Sequence, residues 1–294
     1  MDFVLQTFQA QCPRLFAIAY RMLGTRADAD DVLQDAWLRW SAADHQAIET
    51  PQAWLTTVVT RLAIDRLREV QTTRQQYVGW WLPEPLVEAL NEDTPERQLE
   101  HVGDVSMAML WMLERLTPHE RAAFLMREVF EHDYSDIAAS LGKTEAACRQ
   151  LVHRAMERIK QGRARLKVSH EQHRQVLQRF IEAARSGERE AMKALSAPDI
   201  TAIGDGGGKV PSIMKMLQGP ERIANLYYAI HRRLGTSVRY RLGLVNGETG
   251  VLRYVDGQLE SVQCFVVADA RICGIYTVRN PDKLRHVPAD QKDL

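Results

Sequence analysis

The sequence predicts a multi-domain protein that is all-α over residues 1–168 and α+β over residues 169–294. Its 294 residues are long for a single hydrophobic core. Apolar residues recur at helical spacing through most of the chain as far as Lys167. Further on, four apolar segments lie between Val238 and Val278, and Asn246-Gly247 and Asp256-Gly257 indicate hairpin turns between them.

The first 70 residues are predicted to be helical, with one boundary at Gly24. From Asp28 to Trp40, apolar side chains share one helix face and polar side chains another. Thr50-Pro51 predicts the start of a helix that ends near Glu69, because proline is favoured at the first helical position. The candidate core residues are Val32, Leu33, Ala36, Trp37 and Trp40 in the first segment and Trp54, Leu55, Val58, Leu62 and Leu67 in the second.

Residues 71–104 differ in composition, since they contain Gln, Thr and three prolines, and we predict that they form a linker. The run WWLPEP at Trp80–Pro85 places apolar bulk within this linker. One hypothesis is that the run packs locally on the helical domain that follows. The other is that it docks on the C-terminal domain and sets the spacing of the domains on either side.

The segment Leu116–Lys167 is predicted to be a helix-turn-helix. Thr117-Pro118-His119-Glu120 is a capping box that starts the first helix. Ser135 is a candidate cap for a second helix that stops at Gly142, and Thr144 is a candidate cap for the third. One face of the third helix is apolar, with Cys148, Leu151, Val152, Ala155 and Ile159. Side chains suited to base edges and phosphates dominate the other face, which holds Arg149, Gln150, His153, Arg154 and Glu157.

The charges are unevenly distributed along the chain. The 38 Lys and Arg residues balance 38 Asp and Glu residues. Residues 143–167 carry eight basic against two acidic residues, whereas residues 1–150 carry fourteen basic against twenty-three acidic residues. The basic surface is therefore local, and we expect weak binding of the isolated chain to DNA because few phosphates are neutralised.

Cysteine usage and hydropathy indicate a cytoplasmic protein without a metal site. Cys12, Cys148, Cys264 and Cys273 are scattered, with no CxxC pair and no His at metal-ligand spacing, which favours a reducing compartment. No apolar run approaches the roughly 18 residues of a membrane-spanning helix, and the N-terminus lacks the charged and apolar regions of a signal peptide.

The C-terminal part is predicted to combine helices with an antiparallel meander that encloses a pocket. Its glycine-rich run Asp205–Lys209 does not fit the phosphate-loop pattern, because Ile203 and Val210 stand where Gly and Ser or Thr are needed. We interpret this run as a turn between strands that requires positive φ. The predicted helices are Gln172–Arg185, Glu188–Leu195 and Pro220–Leu234, and the predicted strands are Val238–Val245, Gly250–Val255, Leu259–Ala268 and Ile272–Val278.

Three segments, in order, resemble bacterial sigma factors of the extracytoplasmic-function (ECF) group. YRMLGTRADADDVLQDAWLRW at Tyr20–Trp40 resembles their helix that binds the clamp helices of RNA polymerase. TPQAWLTTVVTRLAIDRLR at Thr50–Arg68 resembles the helix that opens and recognises the −10 promoter element. Leu116–Lys167 is similar to sigma domain four, which recognises the −35 element.

Three further motifs resemble the ECF subgroup with a C-terminal SnoaL-like domain, which has the nuclear-transport-factor-2-like cone fold. They are WLPEP in the linker, DGGGK at Asp205–Lys209 and NPDKL at Asn280–Leu284. The resemblance implies sigma domain two at 1–70, a linker at 71–104, sigma domain four at 105–168 and a regulatory domain at 169–294. It also implies control by the chain's own C-terminal domain, no cofactor, and core RNA polymerase and promoter DNA as partners.

The resemblance implies four groups of site residues. Polymerase binding is assigned to Asp31, Gln34, Asp35 and Leu38, and −10 recognition to Arg61, Asp65, Arg66 and Arg68. Recognition of the −35 element is assigned to Arg127, Thr144, Arg149, Gln150, His153 and Arg154. Interdomain regulation is assigned to Trp80, Trp81, Leu82, Pro83, Glu84 and Pro85, to Asp205, Gly206, Gly207, Gly208 and Lys209, and to Asn280, Pro281 and Asp282.

Several of these residues have a purely structural alternative. The acidic stripe on the first helix can be a solvated face. Arg61 and Asp65 lie one helical turn apart and can form an intrahelical ion pair. His153 can be a partly buried surface residue.

The predicted function is that of a sigma factor, which is not an enzyme, directing promoter-specific transcription initiation under control of its C-terminal domain. A rival of a different class is an enzyme or small-ligand sensor in the C-terminal domain. Its ionisable candidates are Asp205, Asp256 and His231, although no pair of them has a diagnostic spacing. A further rival is a conventional DNA-binding regulator, which leaves Tyr20–Arg68 unexplained.

Overall fold

The computed structural model describes residues 3–88, 105–160 and 168–287. By their contacts the described residues form two compact units. The first contains residues 3–76, 105 and 109–160, and the second contains residues 77–88, 106–108 and 168–287. The predicted linker after Glu88 and the basic residues of the predicted third helix after Lys160 lie outside the described residues. None of the described helices combines the length and apolar character needed to cross a membrane.

The first unit begins with three long helices, α1 (Phe3–Leu23), α2 (Arg26–Ser41) and α3 (Pro51–Arg74). Gly24 separates α1 from α2 with a φ of 75°, and the Thr25 side chain caps α2 by accepting from the Asp28 N–H. Of the predicted core residues, Val32, Ala36, Trp40, Leu55 and Leu67 are buried, while Leu33, Trp37, Trp54, Val58 and Leu62 are half-buried.

Helix α3 continues beyond the end predicted near Glu69. It ends at Arg74, so the predicted domain boundary at residue 70 falls inside a helix. The last turn is held by tertiary contacts, because Arg74 donates to the Leu23 carbonyl and to Glu114. Local sequence does not reveal such contacts, which explains the difference.

Among the described residues four more helices follow, with a π-helical segment (Leu125–Val129) directly after the second of them. They are α4 (Met107–Leu113), α5 (Pro118–Phe124), α6 (Tyr134–Leu141) and α7 (Glu145–Lys160). The predicted capping box at Thr117 and Glu120 is confirmed, as are the left-handed Gly142 after α6 and the Thr144 cap of α7. The predicted cap at Ser135 is wrong, because α6 already begins at Tyr134 with Asp133 at the cap position.

A buried ionic cluster ties α5 to α1 and α3. Glu114 accepts from Arg121 at 2.7 Å and from Arg74 at 2.6 Å, and Arg121 also donates to the Met22 carbonyl at 2.8 Å. Burial alone would raise the pKa of Glu114, but the charges of Arg121 and Arg74 outweigh it and hold that pKa below its ordinary value. Glu114 is therefore an ionised, mostly buried residue that joins the helix-turn-helix to the N-terminal helices.

In the described residues, the second unit is a seven-stranded sheet with three α-helices. The strands are β1 (Val87–Glu88), β2 (Ser196–Asp205), β3 (Leu217–Gln218), β4 (Val238–Val245), β5 (Glu248–Val255), β6 (Gln258–Ala268) and β7 (Arg271–Val278), and the helices are α8 (His170–Ser186), α9 (Arg189–Leu195) and α10 (Pro220–Leu234). In sheet order, the neighbours are β1, β4, β5, β6, β7, β2 and β3. Strand β2 is parallel to β7, and the other pairs are antiparallel.

The predicted meander is confirmed in β4–β7, with strand ends within two residues of the prediction. Its turns at Asn246-Gly247 and Asp256-Gly257 have positive φ at both positions, as expected for the favoured two-residue hairpin turns. The helices cover the sheet through one apolar core in which the Phe180 ring lies edge-on to Tyr227 and Phe265.

Strand β1 comes from the segment that we predicted to be a linker. Val87 pairs with Val245, the Asn246 N–H donates to the Leu86 carbonyl, and the Leu86 N–H donates to the Asn246 side chain. The described part of residues 71–104 is therefore ordered as the end of α3 and as an edge strand. Pairing across 158 residues of sequence is invisible to local pattern, which is why composition alone indicated a linker.

Candidate nucleic-acid interface

Helix α7 presents its polar face to solvent. Arg149, Gln150, His153 and Arg154 are exposed, whereas Cys148, Leu151, Val152, Ala155 and Ile159 are buried, so both predicted faces are confirmed. The alternative of a partly buried His153 is wrong, because its side chain lies on the exposed face. This surface offers guanidinium, amide and imidazole groups within two helical turns, and such groups match the hydrogen-bonding edges of bases in a major groove.

Tyr134 organises two of the predicted DNA contacts, and sequence reasoning missed it. The guanidinium groups of Arg127 and Arg149 each lie 4.9 Å from the centre of its ring. Arg127 also donates to the His132 carbonyl at 2.9 Å, and Arg149 pairs with Glu145 at 2.7 Å. The ring thus joins the π-helical segment to α7 and restricts both arginines by cation–π contacts.

Glu120 lies behind the exposed face and contacts α7. Its carboxylate accepts from Arg158 at 2.8 Å and lies 3.4 Å from Nε of Arg154. The sequence identified Glu120 only as part of a capping box. The signal that could have revealed the second role is the i,i+4 spacing of two arginines on one face of the third helix.

Helix α3 carries the predicted −10 residues, and their partners differ from those expected. Arg61 donates to the backbone carbonyls of Ser140 at 2.7 Å and Ala139 at 3.0 Å, at the end of α6. The predicted alternative of an Arg61–Asp65 ion pair is wrong, because Asp65 pairs with Arg68 at 2.8 Å. The remaining predicted residue, Arg66, pairs with Asp28 at 2.8 Å in α2.

The predicted polymerase-binding stripe lies on the exposed face of α2. Asp31, Gln34, Asp35 and Leu38 are all exposed, and the Leu38 side chain retains 58% of its accessible surface. Asp31 lies 3.9 Å from Arg66 at the rim of the stripe. An exposed leucine beside carboxylates provides an apolar contact and acceptors for arginines of a partner helix.

Asp205 is the centre of a buried polar cluster in the second unit. Its carboxylate accepts from the Tyr77 hydroxyl at 2.6 Å, the Leu82 N–H at 2.9 Å, the Gly207 N–H at 3.0 Å and Lys283 at 2.7 Å. The Asp205 residue has no accessible surface. Burial, followed by the bond to Asp205, raises the pKa of Tyr77, so this phenol remains a donor.

The glycine-rich run after β2 makes a tight turn against NPDKL. Gly207 and Gly208 have φ of 62° and 71°, which confirms the predicted positive φ. A side chain at Gly207 would overlap that of Asn280, whose amide donates to the Tyr77 hydroxyl at 2.8 Å. Lys209 pairs with Asp282, and its hydrogen bond lowers the pKa of that carboxyl. Close packing at Gly207 therefore explains why glycine is needed there.

WLPEP is almost fully buried in the same cluster. Leu82 has no accessible surface, and Pro83, Glu84 and Pro85 are also buried. The ammonium of Lys283 lies 4.1 Å from the centre of the Trp81 ring and donates to the Leu82 carbonyl. Trp80, Trp81 and Pro281 are partly or largely exposed at its edge. Three motifs that are far apart in sequence thus form one contact network.

The candidates for catalysis in the second unit do not share a site. Asp205 is committed to the buried cluster, and His231 lies in α10 against Gly187. A cavity of about 770 Å³ lies beside the β5–β6 turn, and its lining contains Asp256 but neither of the other two. Within the described parts of the chain, no group of three or more His, Cys, Asp or Glu residues is arranged to hold a metal ion.

Comparison with known proteins decides the family. The model of Sigma-70 region 2 matches residues 8–73, and that of Sigma-70 region 4 matches residues 106–159. The ECF RNA polymerase sigma factor SigJ of Mycobacterium tuberculosis is 35% identical over 97% of this chain and 94% of its own length. The chain belongs to the ECF sigma factor family. As an ECF sigma factor it acts in transcription initiation.

Two further comparisons cover at least 95% of the chain. The probable ECF sigma factor SigI of Mycobacterium tuberculosis is 28% identical over 98% of the chain and 97% of the relative. The crystal structure of Mycobacterium tuberculosis SigJ matches with a TM-score of 0.78 and 33% identity, covering 95% of this chain and 98% of that one. The predicted fold class, two all-α sigma domains followed by an α+β domain, is therefore confirmed.

Proposed function

We propose that this sigma factor binds core RNA polymerase through the exposed stripe of α2 and recognises the −35 element with α7 and the −10 element with α3. The observation that carries the proposal is the exposed set Arg149, Gln150, His153 and Arg154 on a capped helix whose opposite face is buried. Thr144 caps the start of this helix. Arg127 is a neighbouring cation, since its guanidinium lies over the ring of Tyr134. The site of action is then the cytoplasm, where the polymerase works.

Initiation with purified core polymerase tests the proposal. The whole chain is expected to direct defined transcripts from templates that contain its promoter, while core polymerase alone does not. Asp35→Arg and Leu38→Ala in α2 are expected to abolish binding to core polymerase and leave the fold intact. Binding without initiation on any template would contradict the sigma function, and initiation that survives both changes would contradict the α2 site.

Arg154→Ala is expected to weaken discrimination between a matched and a mutated −35 element by about 1–3 kcal/mol if Arg154 contacts a base. If it contacts a phosphate, affinity should fall equally for both sequences, with a smaller salt dependence. Fluorescence anisotropy with the two duplexes at several salt concentrations distinguishes these results. Arg174→Ala, on the exposed surface of α8, is the matched control and should change neither quantity.

The contact between α3 and α6 supports an inactive closed form within the first unit. Arg61 uses Nε and one terminal amino group on the carbonyls of Ser140 and Ala139, and the Thr57 and Ser140 hydroxyls lie 2.8 Å apart. These groups of Arg61 cannot bind a promoter base at the same time. Binding to polymerase must therefore shift the population towards a form in which α3 and α6 separate.

A disulfide across this contact tests the closed form. In Thr57→Cys/Ser140→Cys, the two sulfur atoms replace hydroxyls 2.8 Å apart, so oxidation should lock α3 to α6. We expect oxidised protein to lose initiation by more than tenfold (about 1.4 kcal/mol or more) and a reductant to restore it. The unmodified chain, with its own four cysteines, is the control under the same oxidant. Full initiation by the locked protein would contradict the closed form.

The C-terminal domain is proposed to regulate the factor by holding the segment that follows α3. Tyr77, Leu82 and Val87 of this segment contact Asp205 and Val245 of the C-terminal domain. The covalent path from sigma domain two to sigma domain four therefore runs through a segment that the C-terminal domain fixes. The same burial of Asp205 favours regulation over catalysis, because a carboxylate with four donors is not available to a substrate. Turnover by the whole chain that is lost in Asp256→Asn would instead support the enzyme.

A further inference from the structure

We infer that Glu120 is a positioning residue for promoter recognition, which aims Arg154 and Arg158 of the recognition helix α7 at DNA. This inference rests on the proposed role of α7 at the −35 element. Glu120 retains only 3% of its accessible surface, whereas the side chains of Arg154 and Arg158 retain 55% and 45%. The buried carboxylate of Glu120 thus pairs with two exposed guanidinium groups.

The capping box also holds the Glu120 carboxylate that contacts the two arginines. The Glu120 N–H donates to the Thr117 hydroxyl, and the Thr117 N–H donates to Oε2 of Glu120 at 3.1 Å. Oε2 also accepts from Arg158 at 2.8 Å, while Oε1 lies 3.4 Å from Nε of Arg154. Both oxygens therefore have a set direction, and the arginines are tied to the rigid start of α5.

The atom that Arg154 uses determines what remains for DNA. A guanidinium has a side edge that includes Nε and an end edge formed by its two terminal amino groups. Arg154 meets Glu120 through Nε, at 3.4 Å, which leaves the end edge for bidentate contacts with guanine or phosphate. A flexible arginine held in advance also loses less conformational freedom when DNA binds.

The glutamate adds selectivity as well as order. Its negative charge offsets part of the attraction of Arg154 and Arg158 for any phosphate. The two arginines therefore add less binding free energy on non-specific DNA than on the matched −35 element. Replacing Glu120 by glutamine keeps the shape and an acceptor for the cap but removes that charge. Specific recognition should then weaken while non-specific binding stays the same or strengthens, a pattern that loss of folding does not produce.

A double-mutant cycle in the whole chain tests the inference. Glu120→Gln is expected to lower discrimination between a matched and a mutated −35 duplex roughly three- to tenfold. The effect should be clearly smaller when Arg154 is already Ala, because only the contact with Arg158 is then changed. Glu131→Gln is the matched control, because it removes the charge of an exposed glutamate that lies outside α5 and α7. It should leave discrimination unchanged.

Each result has a defined meaning. If Arg154→Ala changes DNA binding but Glu120→Gln does not, the inference fails and the proposed −35 site stands. If Arg154→Ala itself has no effect, the proposed site fails and the inference with it. A measurement on the unchanged chain does not depend on the folding of any variant. The Nε proton of Arg154 should exchange with water more slowly than that of Arg174 on the exposed surface of α8. Equally fast exchange at both would overturn the inference.

Discussion

Asp205→Ala is expected to destabilise the C-terminal domain by about 3–5 kcal/mol, because it removes the carboxylate from a buried pair and leaves Lys283 in a desolvated site. The change also removes the acceptor for the Tyr77 hydroxyl and the Leu82 N–H. Segment Tyr77–Glu88 should therefore detach, while β5 and β6, which pair neither with this segment nor with β2, open less. Hydrogen–deuterium exchange followed by mass spectrometry measures both, and Asp256→Asn at the exposed turn is the control.

A second substitution separates the charge from the packing. In Asp205→Ala/Lys283→Met, both members of the pair are apolar, so part of the lost stability should return. The contacts of Tyr77 and Leu82 with Asp205 would still be absent, and exchange of the segment should remain fast. If the Asp205→Ala variant is as stable as the unchanged chain, the buried cluster does not hold the segment. The proposed regulation through this cluster would then be wrong.

Glu114→Ala is expected to destabilise the first unit by about 3–5 kcal/mol, since Arg74 and Arg121 lose the carboxylate between them in a mostly buried site. Urea denaturation, followed by the circular dichroism of the helices, measures the change. Glu49→Ala in an exposed loop is the control and should shift stability by no more than about 0.5 kcal/mol. Equal effects of the two substitutions would show that the cluster contributes nothing.

The same carboxylate predicts how the first unit responds to acid. The pKa of Glu114 is lower in the folded chain than its ordinary value of 4.5, so the unfolded chain binds more protons. Its contribution to stability is full above about pH 4.5 and is lost as the pH falls through the folded pKa. Glu114→Gln should therefore lose less stability than the unchanged chain between pH 5 and pH 3.

The contacts in the two units suggest one mode of control. In the first unit, Arg61 binds α6 with groups that the −10 element would need. In the second, Asp205 and Lys283 hold the segment that directly follows α3. The first contact lies at the middle of α3, and the second holds residues that follow its end. We therefore expect changes at either place to alter initiation without changing any residue that faces the −35 element.

Much of the fold was predictable because its signals are local. The Thr117 capping box, the left-handed Gly142 and the two hairpin turns depend on interactions within a few residues, and each is present as predicted. The two faces of α7 follow from helical periodicity and the tendency of apolar residues to be buried. The cap of α6 was misplaced by two residues because Asp133 and Ser135 are both good caps, and sequence alone does not rank them.

The sequence by itself determined most of the helices, the four strands of the meander, the family and the exposed side chains of α7. Only the tertiary structure decided the partners of charged residues, such as Asp65 with Arg68, Arg61 with α6 and Glu120 with Arg154. It also showed that Val87 belongs to the C-terminal sheet. The physical reason is that caps and periodicity act over a few residues, whereas an ion pair or an edge strand depends on which distant segments the core brings together.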